Sequence, residues 1–140
     1  YPKADKLLIL ADTGGSNALT LPSMEAWKHG LMTKLCVPNG LEVTVCHYPP
    51  GASKWNPIEH RLFSQISKNW AGEPLLTLQT MLNFIRTTKT ETGLRVRATL
   101  MKGDYPKGLK PTAAEMATLP LLPHDVLPDW NYTIAPTPKM

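Results

Sequence analysis

The chain has little that would hold it in a membrane. No apolar run approaches the roughly 20 residues that a spanning helix needs. The start, Tyr1-Pro2-Lys3-Ala4-Asp5, does not read as a signal peptide, because the apolar segment behind it is short and makes a better strand. Cysteine is scarce. Cys36 and Cys46 lack zinc-site spacing, and two cysteines are no disulfide framework. They read as small buried hydrophobes in a reducing cytosol. Internal repeats are lacking, and the apolar content of 42% is a little low for a globular domain.

Proline is abundant, at 14 in 140 residues. That length suffices for one domain with a modest core. The net charge is +4 and uneven. Residues 54–110 carry ten Lys and Arg against four Asp and Glu, a net of +6; the remainder carries five against seven, a net of −2. A basic middle segment suits a polyanionic partner.

The pattern is α/β. Leu7-Leu8-Ile9-Leu10-Ala11 predicts a buried strand over 6–12 that delivers Asp12 into the turn Thr13-Gly14-Gly15-Ser16-Asn17. Its continuous apolar run is that of a strand covered on both faces. Ser23 is placed to cap a helix over 24–36, with Met24, Trp27, Leu31 and Leu35 as its apolar stripe. A second strand spans 41–47. Strand, helix and strand within about forty residues make a βαβ unit, so the strands should be parallel. Both then deliver their C-terminal ends to one edge, where open α/β sheets place ligand sites.

The second strand runs into His47-Tyr48-Pro49-Pro50-Gly51, which forces a turn. Pro57 then starts a helix to about Trp70, with Glu59 in its first turn and Ile58, Leu62, Phe63 and Ile66 as its stripe. Thr77 should cap a further helix bearing Leu78, Met81, Leu82 and Ile85. Residues 94–100 alternate as a strand with a solvated basic face. Thr112 and Glu115 form a capping-box pattern for a helix over 113–118. The division expected is a body, 1–118, and an irregular proline-rich tail, 119–140.

Two carboxylates delivered at one sheet edge, Asp12 and Glu59, could serve a hard divalent cation. First-turn Glu also simply complements a helix dipole. The motifs around both acids resemble those of DDE transposases. Asp12-Thr13-Gly14-Gly15-Ser16-Asn17 is similar to the second aspartate motif of mariner-like and related bacterial elements. Pro49-Pro50, Ser53, Asn56-Pro57-Ile58-Glu59 is similar to the last acid motif. The fuller run from Val45 through Phe63, with residues 88–98 and Trp130-Asn131-Tyr132-Thr133-Ile134, resembles the ISAzo-type insertion-sequence transposases along nearly the whole chain.

That resemblance implies a partial RNase H-like, retroviral-integrase-like fold with two parallel central strands, its first three strands missing. It implies metal-dependent DNA cleavage and strand transfer using Mg²⁺ or Mn²⁺ on Asp12 and Glu59. A further aspartate would lie on an upstream strand, so the chain resembles the C-terminal half of a catalytic domain, inactive by itself. DNA contacts fall on Lys54, Trp55, Arg61, Arg95 and Arg97. Supporting roles fall on Asn17, His47, Asn56 and His60. Each also has an ordinary structural reading, as a turn residue, a packed ring or a solvated charge. Met101 departs from the pattern, which has an acid there. The alternative is a non-catalytic DNA-binding or regulatory remnant that pairs with a full-length transposase. Transposon-end DNA is the expected partner. A homodimer is expected through strand 6–12, whose neighbour would be absent. The expected place is the bacterial cytoplasm, at the nucleoid when DNA is bound.

Overall fold

The computed structural model describes residues 1–14, 21–104, 106 and 108–136, the side chains of Leu21 and Ser53 aside. Asn17 and most of its turn lie outside the described residues. The chain forms two compact units, one of Tyr1–Ser53 with Pro106–Met140, the other of Lys54–Tyr105. The described residues contain no helix long and apolar enough to cross a membrane.

The first unit is built on a mixed four-stranded sheet. Its strands are β1 (Lys6–Ala11), β2 (Glu42–His47), β3 (Leu121–Pro123) and β4 (Asn131–Ile134). Their order is β1-β2-β4-β3. β1 and β2 are parallel, with Leu7 opposite Val43 and Ala11 opposite His47. This bears out the βαβ expectation. β4 pairs antiparallel with β2, and β3 antiparallel with β4.

Those last two strands correct the reading of 119–140 as irregular. Prolines obscure the pattern, yet Pro120, Pro123, Pro128 and Pro136 fall at strand ends and in loops. Asn131–Ile134 between them are free to pair. Tyr132 and Ile134 are fully buried beside Val43 and Val45. Burying each such side chain stabilises by roughly 1.5–3 kcal/mol, so β4 belongs to the core.

The helix α1 (Leu21–Leu31) packs Met24, Trp27 and Leu31 on one sheet face, with Cys36 from the segment that follows. It begins before Ser23, which therefore lies inside the helix and does not cap it. After Leu31 the chain widens into a π-helical turn, Met32–Cys36, where the Val37 N–H donates to the Met32 carbonyl. Pro38 is the reason: it has no N–H, and its ring crowds the carbonyl four residues back. A short helix α2 (Val37–Asn39) ends at Gly40, which takes the left-handed conformation at φ 63°. Both cysteines are free.

The opposite sheet face carries the Thr44–Thr133 hydroxyl pair at 2.9 Å. Leu8 and Leu10 lie there too, 59% and 50% exposed, and Leu7 is also exposed. β1 was expected to be covered on both faces; in this structure it is not. Parallel pairing with β2 requires only one buried face, and α1 supplies that cover.

In the second unit, residues Glu59–Phe63 form a π-helical turn that continues into α3 (Ser64–Asn69). Pro57 and Ile58 are already helical, so Glu59 lies in the first turn of a helical segment, of wider bore than expected. α4 (Leu78–Thr87) is capped by Thr77, whose side chain accepts from the Thr80 N–H at 3.0 Å. The Asn69 amide joins the two helices by donating to the Phe84 carbonyl at 2.6 Å. Residues 94–100 form no strand. Their inward and outward alternation holds, with Leu94, Val96 and Ala98 half-buried and Arg95 and Arg97 exposed, but their strand-like pairing is a single bridge, Lys89–Arg95. In the first unit, α5 (Ala113–Ala117) has the full capping box of Thr112 and Glu115.

Candidate functional site

Asp12 follows the last residue of β1 and is exposed. Its Oδ1 accepts the Thr13 N–H at 2.7 Å. The Thr13 hydroxyl donates to the Tyr48 carbonyl at 3.1 Å, and the Tyr48 N–H donates to the Ala11 carbonyl at 2.7 Å. The ends of β1 and β2 are therefore laced together, and Asp12 stands on a fixed rim.

Beneath that rim lies His47, buried. Its Nε2 is 3.0 Å from the Tyr132 hydroxyl. The same hydroxyl accepts from Trp27 Nε1 at 2.9 Å and lies 3.7 Å from the Met24 sulfur. Lys28 Nζ sits 4.5 Å above the Tyr132 ring. Burial pushes the His47 ring below its ordinary pKa; the Asp12 backbone opposes this, and the Lys28 charge reinforces it. His47 Nδ1 is buried without a hydrogen-bond partner of normal geometry. Burial pushes the Tyr132 hydroxyl up to about 12, against the Trp27 hydrogen bond. Burial also lowers Lys28, with Asp129 opposing. This network joins β2, β4 and α1 directly under the Asp12 rim. Sequence reasoning placed His47 here but missed Tyr132, 85 residues away; the run Trp130–Ile134 was the signal that marked it.

In the second unit Glu59 is half-exposed at the start of the π-helical turn. Its N–H donates to the Asn56 carbonyl at 3.1 Å, and Asn56 Oδ1 accepts the Ile58 N–H at 3.3 Å. Asn56 is buried and satisfies its own turn. His60 Nε2 is bonded to the Lys54 carbonyl. A carbonyl only accepts, so Nε2 carries the proton, and His60 staples the Ser53–Trp55 3₁₀ turn to the helix. Trp55 is 69% exposed, and Lys54 Nζ lies 4.9 Å over its ring. Arg61 is exposed on the same segment. Lys54, Trp55 and Arg61 thus share one short stretch with Glu59. Arg95 and Arg97 lie beyond α4, in the same unit, with Arg86 and Lys89, which sequence reasoning did not single out.

The described residues bring together no cluster of three or more His, Cys, Asp or Glu that could hold a metal. What the candidates offer is carboxylate oxygen, the donor that a hard cation such as Mg²⁺ prefers. Asp12 is exposed and held on a laced rim, and Glu59 lies half-exposed in the first turn of its helical segment. This donor chemistry fits a cation that keeps most of its waters.

No curated protein and no solved structure matches the chain. A family match does exist, and it covers residues 1–136. By that match the chain belongs to the family described as the Rhodopirellula transposase DDE domain.

Proposed function

We propose that this chain serves metal-dependent DNA cleavage and strand transfer, with Asp12 and Glu59 as ligands for Mg²⁺ or Mn²⁺. The observation that supports it most is the position of Asp12, on a rim where two parallel strands end, from which the chain leads directly into the Glu59 loop. When bound, the ion would stabilise charge on the oxygens of an in-line displacement at phosphorus. The residues of the chain have simpler tasks. Thr13 holds one Asp12 oxygen and so fixes the carboxylate at the rim. Lys54 and Arg61 meet phosphate, and Trp55 offers an exposed face for stacking on a base. β1 and β2 are assigned as the parallel central pair of an RNase H-like sheet. Its earlier strands, with a third acid, are assigned outside residues 1–140. A second copy of the chain is assigned to β1, the edge of the described sheet, where Leu8 and Leu10 are exposed.

The test is a strand-transfer assay on transposon-end DNA with Mn²⁺. Residues 1–140 are expected to retain DNA but to cut and join none. Turnover by these residues would refute the assignment of a third acid elsewhere.

One observation favours a second reading, a non-catalytic DNA-binding or regulatory remnant. Met101, where the resembled pattern has an acid, is 71% exposed. That reading predicts that the added chain lowers turnover by an intact transposase of the same element.

A further inference from the structure

The two units differ in charge. Lys54–Tyr105 holds eight Lys and Arg against four Asp and Glu, a net of +4; the other unit holds seven against seven. The whole net charge of the protein therefore resides in the smaller unit. Half of that unit's cations line one groove of about 380 Å³, formed by Arg86, Lys89, Arg95 and Arg97 with Thr87, Thr88 and Val96. Among the described residues no carboxylate lines it.

The groove is built by local structure. Arg86 lies in the last turn of α4. Its Nε donates to the Ala98 carbonyl at 2.8 Å, which fixes the guanidinium plane and ties the returning chain to the helix. Thr88 is buried, and its hydroxyl donates to the Phe84 carbonyl at 2.9 Å. The chain then reverses over Thr90–Leu94. The Thr90 N–H donates to the Leu94 carbonyl at 3.2 Å, and the Leu94 N–H donates to the Thr90 hydroxyl at 3.1 Å. Gly93 permits the reversal with φ 101°. This sets Lys89 opposite Arg95. Extended backbone then places Arg97 on the same side as Arg95.

Four cations in one groove repel one another. Ordinary proteins offset such crowding with carboxylates. Among the described residues the ion pair within 4.0 Å is Lys6–Glu42, in the other unit. The arginines present planar forks suited to phosphate oxygens.

We propose that this groove is a phosphate-backbone site for DNA, separate from the Lys54–Arg61 stretch, with Arg86, Lys89, Arg95 and Arg97 as its ligands. It deepens the DNA reading above and rests on it. The site grips and orients the strand without reading sequence, because phosphates carry none.

The test is fluorescence anisotropy with the full chain and a labelled 20-base-pair duplex of arbitrary sequence, over a salt series. Arg95→Gln with Arg97→Gln should flatten the slope of log affinity against log salt by about 1.8, since each phosphate contact contributes about 0.9. Affinity at 0.1 M salt should fall roughly 10- to 100-fold. Lys89→Gln by itself should flatten the slope by about 0.9. Lys3→Gln with Lys34→Gln removes the same charge from the other unit and should change far less. Equal effects from the two double variants would overturn the groove while the DNA reading stands. A parent chain that binds no duplex at low salt would overturn both. So would a poly-glutamate peptide that competes as well as DNA, charge for charge.

Discussion

The Tyr132 hydroxyl lies 3.0 Å from His47 Nε2 and accepts from Trp27 Nε1, so one buried oxygen joins a central strand, its C-terminal neighbour and the covering helix. Tyr132→Phe removes that oxygen and keeps the ring. Two nitrogens then lose their partner in a largely dry setting. Leaving a buried polar group unsatisfied costs about 1–3 kcal/mol. The variant should lose about 2–3 kcal/mol in urea denaturation. An unchanged midpoint would show that the network is not stabilising.

The burial of this same pair gives stability two pH limits. His47 is depressed in the folded state, so the unfolded chain binds more protons below the ordinary histidine value of 6.5. Stability is full above that value and falls as pH drops toward the depressed one. Tyr132 is raised from 10.0 to about 12. The folded state holds that proton longer, so stability is full below 10 and falls as pH rises from 10 toward 12. Thermal melts across pH 5–11 should show both declines. His47→Gln should lose the acid-side decline and keep the alkaline one; a melt profile parallel to the parent's would contradict this.

Calorimetry addresses the metal assignment. Mg²⁺ or Mn²⁺ should bind weakly, because two carboxylates leave most coordination to water. Asp12→Asn preserves shape and removes charge, and it should abolish most of the heat. Identical heats in parent and variant would sink Asp12 as a ligand.

The C-terminal strands can be tested by packing. Ile134 is fully buried and faces Val43 across β2 and β4. Ile134→Ala should cost about 2–5 kcal/mol, as core truncations do. A loss below 1 kcal/mol would mean that β4 is an appendage.

The edge strand predicts assembly. Light scattering at micromolar concentration should report a dimer, and Leu8→Lys should return it to a monomer, because a charge on an edge blocks pairing. A monomeric parent would refute pairing through β1.

Local pattern was sufficient for much of this protein. The run Leu7–Ala11 carries its strand signal in adjacent residues. Thr77 and the Thr112–Glu115 pair signal helix starts within one turn, because a cap is a local hydrogen bond. Asp12 and Glu59 stood out for the same reason, each sitting where a named element ends or begins. Tertiary structure decided the rest. Whether Arg95-Val96-Arg97 becomes a strand depends on a partner backbone, and no local pattern supplies one. Whether Leu8 is covered depends on which layer packs against its face. Tyr132 meets His47 across 85 residues of chain, and only the antiparallel register of β4 on β2 brings them together. Strand pairing and burial are long-range choices, decided by which surfaces exclude water together, and the sequence lists the candidates without showing their partners.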